Sequence, residues 1–143
     1  MELTVVVALI GLTSLAATTR FGHSTLANAG AEGFTRQVAL ALMQARRSTI
    51  STGDNHYLQL TTSGGYITSF ALIRRASGGD EQVDQSWTAP GDVLATSADT
   101  DLEFDFEGSA LASYSVAIAG PDRSWAVSVV QLTGAIEVTE TTP

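Results

Sequence analysis

The chain has 143 residues, of which 44% are hydrophobic and 15% are charged, and its formal net charge is −8 at pH 7. This length predicts a single domain plus an appendage. The acidic balance, without one lysine, argues against nucleic-acid binding, which needs a basic face. The lack of cysteine excludes a disulfide framework, a thiol nucleophile and a cysteine-ligated metal.

The first twenty residues, MELTVVVALIGLTSLAATTR, contain a long apolar run. The seventeen residues between Glu2 and Arg20 carry no charge, and as a helix they are roughly 25 Å long, near the lower limit for a bilayer span. A buried core helix has one apolar stripe and a polar face opposite. Here apolar side chains point in every direction: Leu3, Val5, Val6, Val7, Leu9, Ile10, Leu12 and Leu15. We therefore predict that residues 1–20 form a helix in a membrane or in a fibre core.

Glu2 is the acid at the edge of this apolar run. A lone carboxylate in or near hydrocarbon is energetically costly, so an ionisable residue there indicates a functional site by default. The alternative is a solvated residue beside the start of the chain, and the chemistry alone leaves both interpretations open. A cleaved secretory signal fits poorly because it needs a basic segment before the apolar run, where this chain has an acid.

Residues 21–53 are predicted to continue the helix. The segment 21–33 contains Gly22, Gly30 and Gly33, but no proline interrupts the chain before Pro90. From residue 34 onward, apolar side chains recur at spacings of three and four, which is typical of one helix face. We expect this face to pack on a globular head through Phe34, Val38, Leu42 and Ala45. Gly53 is the expected C-terminal cap.

After residue 53 the apolar period changes from about 3.6 to two. Candidate strands are 56–61, 65–74, 82–88, 101–107, 113–119, 124–132 and 135–140, separated by turn signals of glycine, proline and aspartate. Short strands with regular turns predict an antiparallel sheet or sandwich over residues 54–143. The predicted fold class is therefore α+β, with a long N-terminal helix whose second half packs on a β-rich head.

The strand predicted at 101–107, DLEFDFE, alternates acidic and apolar residues. Leu102, Phe104 and Phe106 are expected on the buried face, and the opposite face carries Asp101, Glu103, Asp105 and Glu107. One hypothesis for the carboxylates is a Ca²⁺ site, since this cation prefers several carboxylate oxygens. Side chains two apart on one strand do not close around an ion. A plain solvated face is therefore the favoured interpretation, and neither a metal nor another cofactor is expected.

Signals for catalysis are scarce. The chain has two histidines and no G-x-S-x-G, H-E-x-x-H, C-x-x-C or P-loop pattern. His23 is expected to be exposed, and a Ser-His-Asp site at His56 and Asp54 would need a serine nearby by chance. Trp125 is expected in a core, whereas a core position and a ligand-stacking position both stay open for Trp87. We predict that the protein is not an enzyme.

The segment ELTVVVALIGL resembles the N-terminal signature of type IV pilins and type II secretion pseudopilins. In that family a glycine and a cleavage point precede Phe-Thr-Leu-x-Glu and an apolar run. Glu2 matches the family's glutamate, Met1 the variable residue before it, and Gly11 the glycine that closes the run. The leader and its Phe-Thr-Leu are absent, so we expect the true precursor to begin further upstream.

Residues 34–140 more weakly resemble the head of H-type minor pseudopilins and related minor pilins. The group's helix ends in Ala-Arg-x-x-Ala-Ile-x-x-Gly, which Ala45, Arg46, Ile50 and Gly53 match, with Thr49 replacing the usual alanine. The strand at 57–60 and the hairpin at 127–138 also fit the group. The resemblance favours a minor subunit over a major one.

The resemblance implies a structural minor subunit of a type II secretion pseudopilus or a type IV pilus. Such a subunit crosses the bacterial inner membrane once, with its head in the periplasm, before it joins a periplasmic pseudopilus or a surface pilus. Its partners are other pilin or pseudopilin subunits and the prepilin peptidase, which cuts the precursor and methylates the new amino terminus. Glu2 is expected to set the register by meeting the terminal amine of an adjacent subunit.

Two alternatives from other classes stay open. A monomeric, membrane-anchored periplasmic binding module would use the same anchor and head without needing Glu2. A secreted enzyme is less favoured because so few candidate catalytic residues are present.

Overall fold

The computed structural model describes residues 2–141, and for residues 2–5, 9, 11–21 and 23 it describes the backbone alone. In this part of the chain a single helix is followed by a series of strands. The elements are α1 (Glu2–Thr52), β1 (His56–Ser63), β2 (Tyr66–Ala76), β3 (Gly79–Gln82), β4 (Trp87–Thr88), β5 (Leu94–Ser97), β6 (Asp101–Phe104), β7 (Tyr114–Ala119), β8 (Ser124–Val129) and β9 (Ile136–Thr141).

Helix α1 is continuous over 51 residues, which corresponds to roughly 75 Å. A glycine in a helix interior costs about 1 kcal/mol relative to alanine, and the glycines of 22–33 do not interrupt the helix. The helix ends at Thr52, where Gly53 has a φ of 75° and its N–H donates to the Thr49 carbonyl at 2.9 Å. The prediction that Gly53 caps the helix is confirmed, because a left-handed residue after the last turn favours glycine.

The strands form two antiparallel sheets. Sheet A has the order β3-β2-β1-β6, and β4 also pairs with β2; sheet B has the order β5-β7-β8-β9. The β1–β2 hairpin turns on Gly64 and Gly65, with φ values of 61° and 86°, as a two-residue turn that follows the strand twist requires. A helix packed on antiparallel sheets confirms the predicted α+β class.

The core lies between the second half of α1 and both sheets. One cluster of buried side chains joins Phe34 and Leu42 of the helix to Phe70 of sheet A and Val127 of sheet B. The rings of Phe34 and Phe70 lie 5.7 Å apart at a tilted angle, within the range that aromatic pairs favour. The helix therefore supplies the apolar surface that shields both sheets from water.

Two of the predicted strand assignments are wrong in detail, and one strand was missed. The strand expected at 82–88 is instead the end of β3 and the separate, two-residue β4. Strand β5 was not expected, because only Ala95 of its four side chains is buried and the alternation is therefore weak. The strand expected at 101–107 ends at Phe104.

The acidic strand ends early because Asp105 begins a turn. Its carboxylate oxygen Oδ1 accepts hydrogen bonds from the backbone N–H groups of Glu107 and Ser109, which is the local bonding that favours turns over strands. The turn places Phe106 at the surface with 60% of its area exposed. The expectation that Phe106 is buried beside Leu102 and Phe104 is therefore wrong.

Two turns contact the helix near its C-terminal end. The Arg46 Nε donates to the Gly108 carbonyl at 2.9 Å, and Gly134 of the β8–β9 turn lies against the same carbonyl. Both glycines have positive φ, 84° and 61°. A Cβ on Gly134 would overlap the Gly108 oxygen and approach Arg46 Nε to 2.9 Å. Only a residue without a side chain fits this position.

We predict that Gly134→Ala destabilises the head more than Gly64→Ala does. Both glycines have a φ of 61°, but a Cβ on Gly64 meets nothing within 4 Å. The left-handed backbone costs about 1–2 kcal/mol at either site, and crowding at Gly134 adds about 1–3 kcal/mol. Denaturant unfolding of the two variants measures the difference. Equal losses would show that the contact with Gly108 does not constrain the turn.

Candidate assembly surface

The first part of α1 projects beyond the head. The described contacts between helix and head begin near Asn28, so roughly 40 Å of helix precedes them at 1.5 Å per residue. In this projecting part Val6 and Val7 are 53% and 63% exposed, and Ile10 is also exposed. The projecting part therefore presents apolar side chains that the head does not cover.

Most sequence-predicted positions of this segment lie outside the described side chains. This applies to the predicted assembly residue Glu2 and to Leu3, Val5, Leu9, Leu12 and Leu15, and also to His23. Across the residues that are described, no helix has the length and apolar character needed to cross a membrane.

The four residues predicted to pack on the head are all buried. Phe34, Val38, Leu42 and Ala45 have at most 1% of their area exposed and belong to the core cluster. Their spacing of four, four and three places them on one side of the helix. This side lies against both sheets, since the cluster includes residues of each.

Thr49 joins the end of the helix to the first strand. It is fully buried, its hydroxyl donates to the Ala45 carbonyl at 2.9 Å, and it accepts from the His56 N–H at 3.1 Å. The sequence placed Thr49 on the packing face of the helix and marked it as a replacement for a small residue, but did not predict its bond to His56. Its polar side chain on the apolar stripe was the signal that could have identified this bond, because buried hydroxyls require partners.

A second connection holds the helix at the end of the head from which α1 projects. The Asn28 side chain donates to the Asp122 carboxylate and accepts from the Asp122 N–H, both at 3.2 Å. A Cβ on Gly120 would lie 2.6 Å from Asn28 Oδ1 and 3.2 Å from Ala31 Cβ. The β7–β8 turn therefore approaches the helix closely, whereas the sequence marked Gly120 only as a turn residue.

The acidic residues of 101–107 do not share one solvated face. Glu103 is buried, and its carboxylate accepts from Asn55 Nδ2 at 2.9 Å and from Arg75 at 3.1 Å. Asp105 is occupied by its own turn. In the described range, residues 2–141, no three histidine, aspartate or glutamate side chains form a group that could hold a metal ion. The solvated-face interpretation is wrong for Glu103, because its register opposite Tyr57 places it under Arg75.

Tyr57 lies beside this buried acid on the outer side of sheet A. The Arg75 guanidinium lies 4.8 Å from the centre of its ring, and the Tyr57 hydroxyl donates to Asp80 at 2.8 Å. Burial, followed by the hydrogen bond to Asp80, raises the pKa of Tyr57 to about 12. The neutral phenol is thus the form that the fold stabilises.

His56 and Trp125 are buried, whereas Trp87 is partly exposed. His56 is buried, and its Nδ1 lies 2.9 Å from the Asp54 carbonyl oxygen, while the Asp54 carboxylate accepts from Arg74. Asp54 therefore does not orient His56 through its carboxylate. Trp125 is buried in the core, as predicted, and Trp87 is 38% exposed on β4.

Comparison with known proteins defines the class of this architecture. No family model matches the chain, and no curated protein matches its sequence. Solved structures do share its fold: a long helix packed on antiparallel sheets, found in minor pilins and minor pseudopilins. The chain has the pilin-like fold, which confirms the fold that the sequence resemblance implies.

Two solved structures illustrate the match. The minor pseudopilin EpsH from the type 2 secretion system of Vibrio cholerae aligns with a TM-score of 0.60 and 13% identity, over 79% of this chain and 95% of EpsH. The type IV minor pilin FimU of Pseudomonas aeruginosa aligns with a TM-score of 0.60 and 17% identity, over 86% of this chain and 96% of FimU.

We predict that Phe34→Ala lowers the free energy of unfolding by about 3–5 kcal/mol, the usual loss for a buried phenylalanine. Leu40→Ala is the matched control on the same helix, because Leu40 is exposed; we expect a change within about 0.5 kcal/mol. Chemical denaturation followed by the fluorescence of the buried Trp125 measures both. Similar losses for the two variants would contradict the assignment of the packing face.

We also predict that Tyr57 makes stability depend on pH in alkaline solution. Its pKa is raised from 10 to about 12 in the folded protein, so the stabilisation is complete below about pH 10 and decreases as pH rises towards 12. Tyr57→Phe should remove this contribution to the dependence of the unfolding free energy on pH. Unfolding free energies measured at several alkaline pH values test it, and an unchanged slope in the variant would refute it.

Proposed function

We propose that this protein is a structural minor subunit of a type II secretion pseudopilus or a type IV pilus. The observation that carries the proposal is the division of one helix between two environments. One face of its second half is buried in the head, while the projecting half exposes Val6 and Val7 to solvent. A fold shared with a minor pseudopilin and a minor pilin supports the same role.

In this proposal residues 1–20 hold the subunit in the inner membrane before assembly, with the head in the periplasm. A helix satisfies its backbone hydrogen bonds internally and is therefore compatible with lipid. The same apolar surface is compatible with a bundle of similar helices. A subunit could thus exchange lipid for neighbouring helices at a small change in free energy, which is what transfer from membrane to fibre requires.

Glu2 would specify the register of the helix in the fibre. A carboxylate in hydrocarbon is unfavourable when alone and is compensated when it meets a cation, here the terminal amine of an adjacent subunit. Prepilin peptidase would generate this amine from the full-length precursor. Other pilin or pseudopilin subunits and the inner membrane are the remaining partners in the proposal.

The two alternative functions differ from this one in their need for Glu2. A monomeric binding module anchored in the membrane, or a secreted enzyme, would work equally well with an apolar residue at that position. The fate of a Glu2 variant during fibre assembly therefore separates the classes.

We predict that Glu2→Val, introduced into the full-length precursor, still enters the membrane but is at least tenfold depleted in sheared fibres. Glu32→Gln is the control: Glu32 lies on the same helix and forms an exposed pair with Arg36 at 2.6 Å. Immunoblots of membrane and fibre fractions, from cells that assemble the cognate system, measure both variants. Normal incorporation of Glu2→Val would overturn the role of Glu2. Absence of the wild-type protein from fibres would overturn the proposed function.

A further inference from the structure

Three large apolar side chains are exposed at the end of the head from which α1 projects. They are Leu26 of the helix, Tyr66 at the start of β2 and Leu94 at the start of β5, with 75%, 45% and 51% of their areas exposed. We call these three residues the base patch. Single exposed apolar residues are ordinary, so the position of the patch relative to the rest of the molecule decides what it can contact.

Tyr66 lies at this end because the β1–β2 hairpin runs back along the helix. The hairpin starts beside Thr49, to whose hydroxyl the His56 N–H donates at 3.1 Å. Farther along the hairpin, Phe70 lies against Phe34, which precedes Thr49 in the helix. Tyr66, next to the turn of the hairpin, therefore lies beyond the level of Phe34 in the direction of the projecting half.

Leu94 reaches the same end through its pairing in sheet B. It pairs with Ala119, the residue before Gly120, and a Cβ on Gly120 would lie 2.6 Å from Asn28 Oδ1. Leu94 and Tyr66 also line one hollow of about 310 Å³. The two side chains therefore belong to one surface at the level where the helix leaves the head.

The base patch lies close to the end of the apolar run in α1. The run ends before Arg20, and the helix rises roughly 12 Å from Arg20 to Asn28, where the described contacts with the head begin. The polar layer on each side of a bilayer core is about 5–8 Å thick, and a typical helix tilt of about 20° lowers one side of the head further. A continuous helix that spans the membrane thus brings the base patch to the level of the lipid headgroups.

The opposite end of the head also exposes apolar side chains, but it lies much farther from the apolar run. Leu132 is 86% exposed in the β8–β9 turn, where Gly134 packs close to Arg46. The helix rises roughly 40 Å between Arg20 and Arg46. Exposure is common to both ends of the head, and proximity to the bilayer is what distinguishes the base patch.

The chemistry of the base patch suits a neutral membrane surface. Tyr66 combines an apolar ring with a polar hydroxyl, and tyrosine is enriched at membrane–water interfaces for this reason. Arg123 at this end is paired with Glu140 at 3.5 Å, and Asp92, two residues before Leu94, is exposed. In a chain of net charge −8 these groups give anionic lipid no attraction, so zwitterionic phospholipid is the matching partner.

We infer that the base patch rests in the headgroup layer of the membrane that holds α1, where Tyr66 and Leu94 contact zwitterionic phospholipid. The inference rests on the proposed function and adds to it a lipid contact that the head itself makes. Such a contact fixes which side of the head faces away from the membrane before assembly. It has to break when the subunit leaves the bilayer.

The test uses the full chain in phosphatidylcholine vesicles that contain a lipid with a nitroxide on its headgroup. Because the chain has no cysteine, Ser63→Cys and Glu107→Cys each give a single site for a fluorescent label. Ser63 is exposed beside the β1–β2 turn, and Glu107 is exposed next to Gly108 at the opposite end of the head. The nitroxide quenches fluorophores near the membrane surface, and we expect at least threefold stronger quenching at position 63 than at position 107.

Tyr66→Ser combined with Leu94→Ser should reduce the quenching at position 63 at least twofold, because serine removes the apolar contact and leaves the helix in place. Leu26→Ser is a second variant with the same expected direction at a largely exposed helix position. Leu132→Ser is the matched control, since it removes an exposed leucine at the opposite end, and it should leave the quenching unchanged. Unfolding curves in detergent should show that the variants remain folded.

Three outcomes would overturn the inference. The first two are equal quenching at positions 63 and 107, and quenching at position 63 that none of the base-patch variants reduces. The third is quenching at position 63 that weakens when the protein is diluted tenfold in the bilayer, because another copy would then hold the head at the membrane.

Flotation of the vesicles separates these outcomes from a failure of the proposed function. If the chain floats with the vesicles and the quenching does not depend on the base patch, the inference fails and the proposed function stands. If the chain does not float with the vesicles, the membrane step of the proposed function fails.

Discussion

The fold depends on the contact between one face of α1 and two sheets at once. The inner side chains of both sheets meet the same helix residues in one buried cluster. Phe34 and Leu42 are the largest helix side chains in that cluster. An antiparallel sheet with one apolar face needs a covering element, and here a single helix serves both sheets.

The helix is also bonded to the head at two separate positions along its axis, Asn28 and Arg46. At the end of the head from which α1 projects, Asn28 bonds to Asp122 and the turn that contains Gly120 lies close to the helix. Near the C-terminal end, Arg46 bonds to the Gly108 carbonyl, against which Gly134 also packs. A helix bonded at both ends of the head has a defined direction relative to it. The projecting half and the packed half belong to one continuous helix.

Among the residues that the structure describes, buried polar side-chain atoms have hydrogen-bond partners. Glu103 is held by Asn55 and Arg75, and Thr49 bonds to the His56 N–H. Unsatisfied groups at these depths would be costly, so these bonds make the junction of helix and strands specific. The exposed apolar side chains of α1 lie instead on its projecting half and on the side of its second half that carries Leu40, Met43 and Ile50.

The sequence by itself determined the long helix, the face with Phe34, Val38, Leu42 and Ala45, the Gly53 cap and the β-rich head, because each is encoded in local periodicity or in one residue's backbone preference. The turn that exposes Phe106, the burial of Glu103 and the strand β5 were decided by tertiary structure. Their environments depend on segments distant in the chain: Arg75 reaches Glu103 from another strand, and β5 is fixed by pairing with β7. The exposed side of α1 that carries Leu40, Met43 and Ile50 depends on both sequence and tertiary structure. Its spacing is written in the sequence, but only the packed head shows which side of the helix stays exposed.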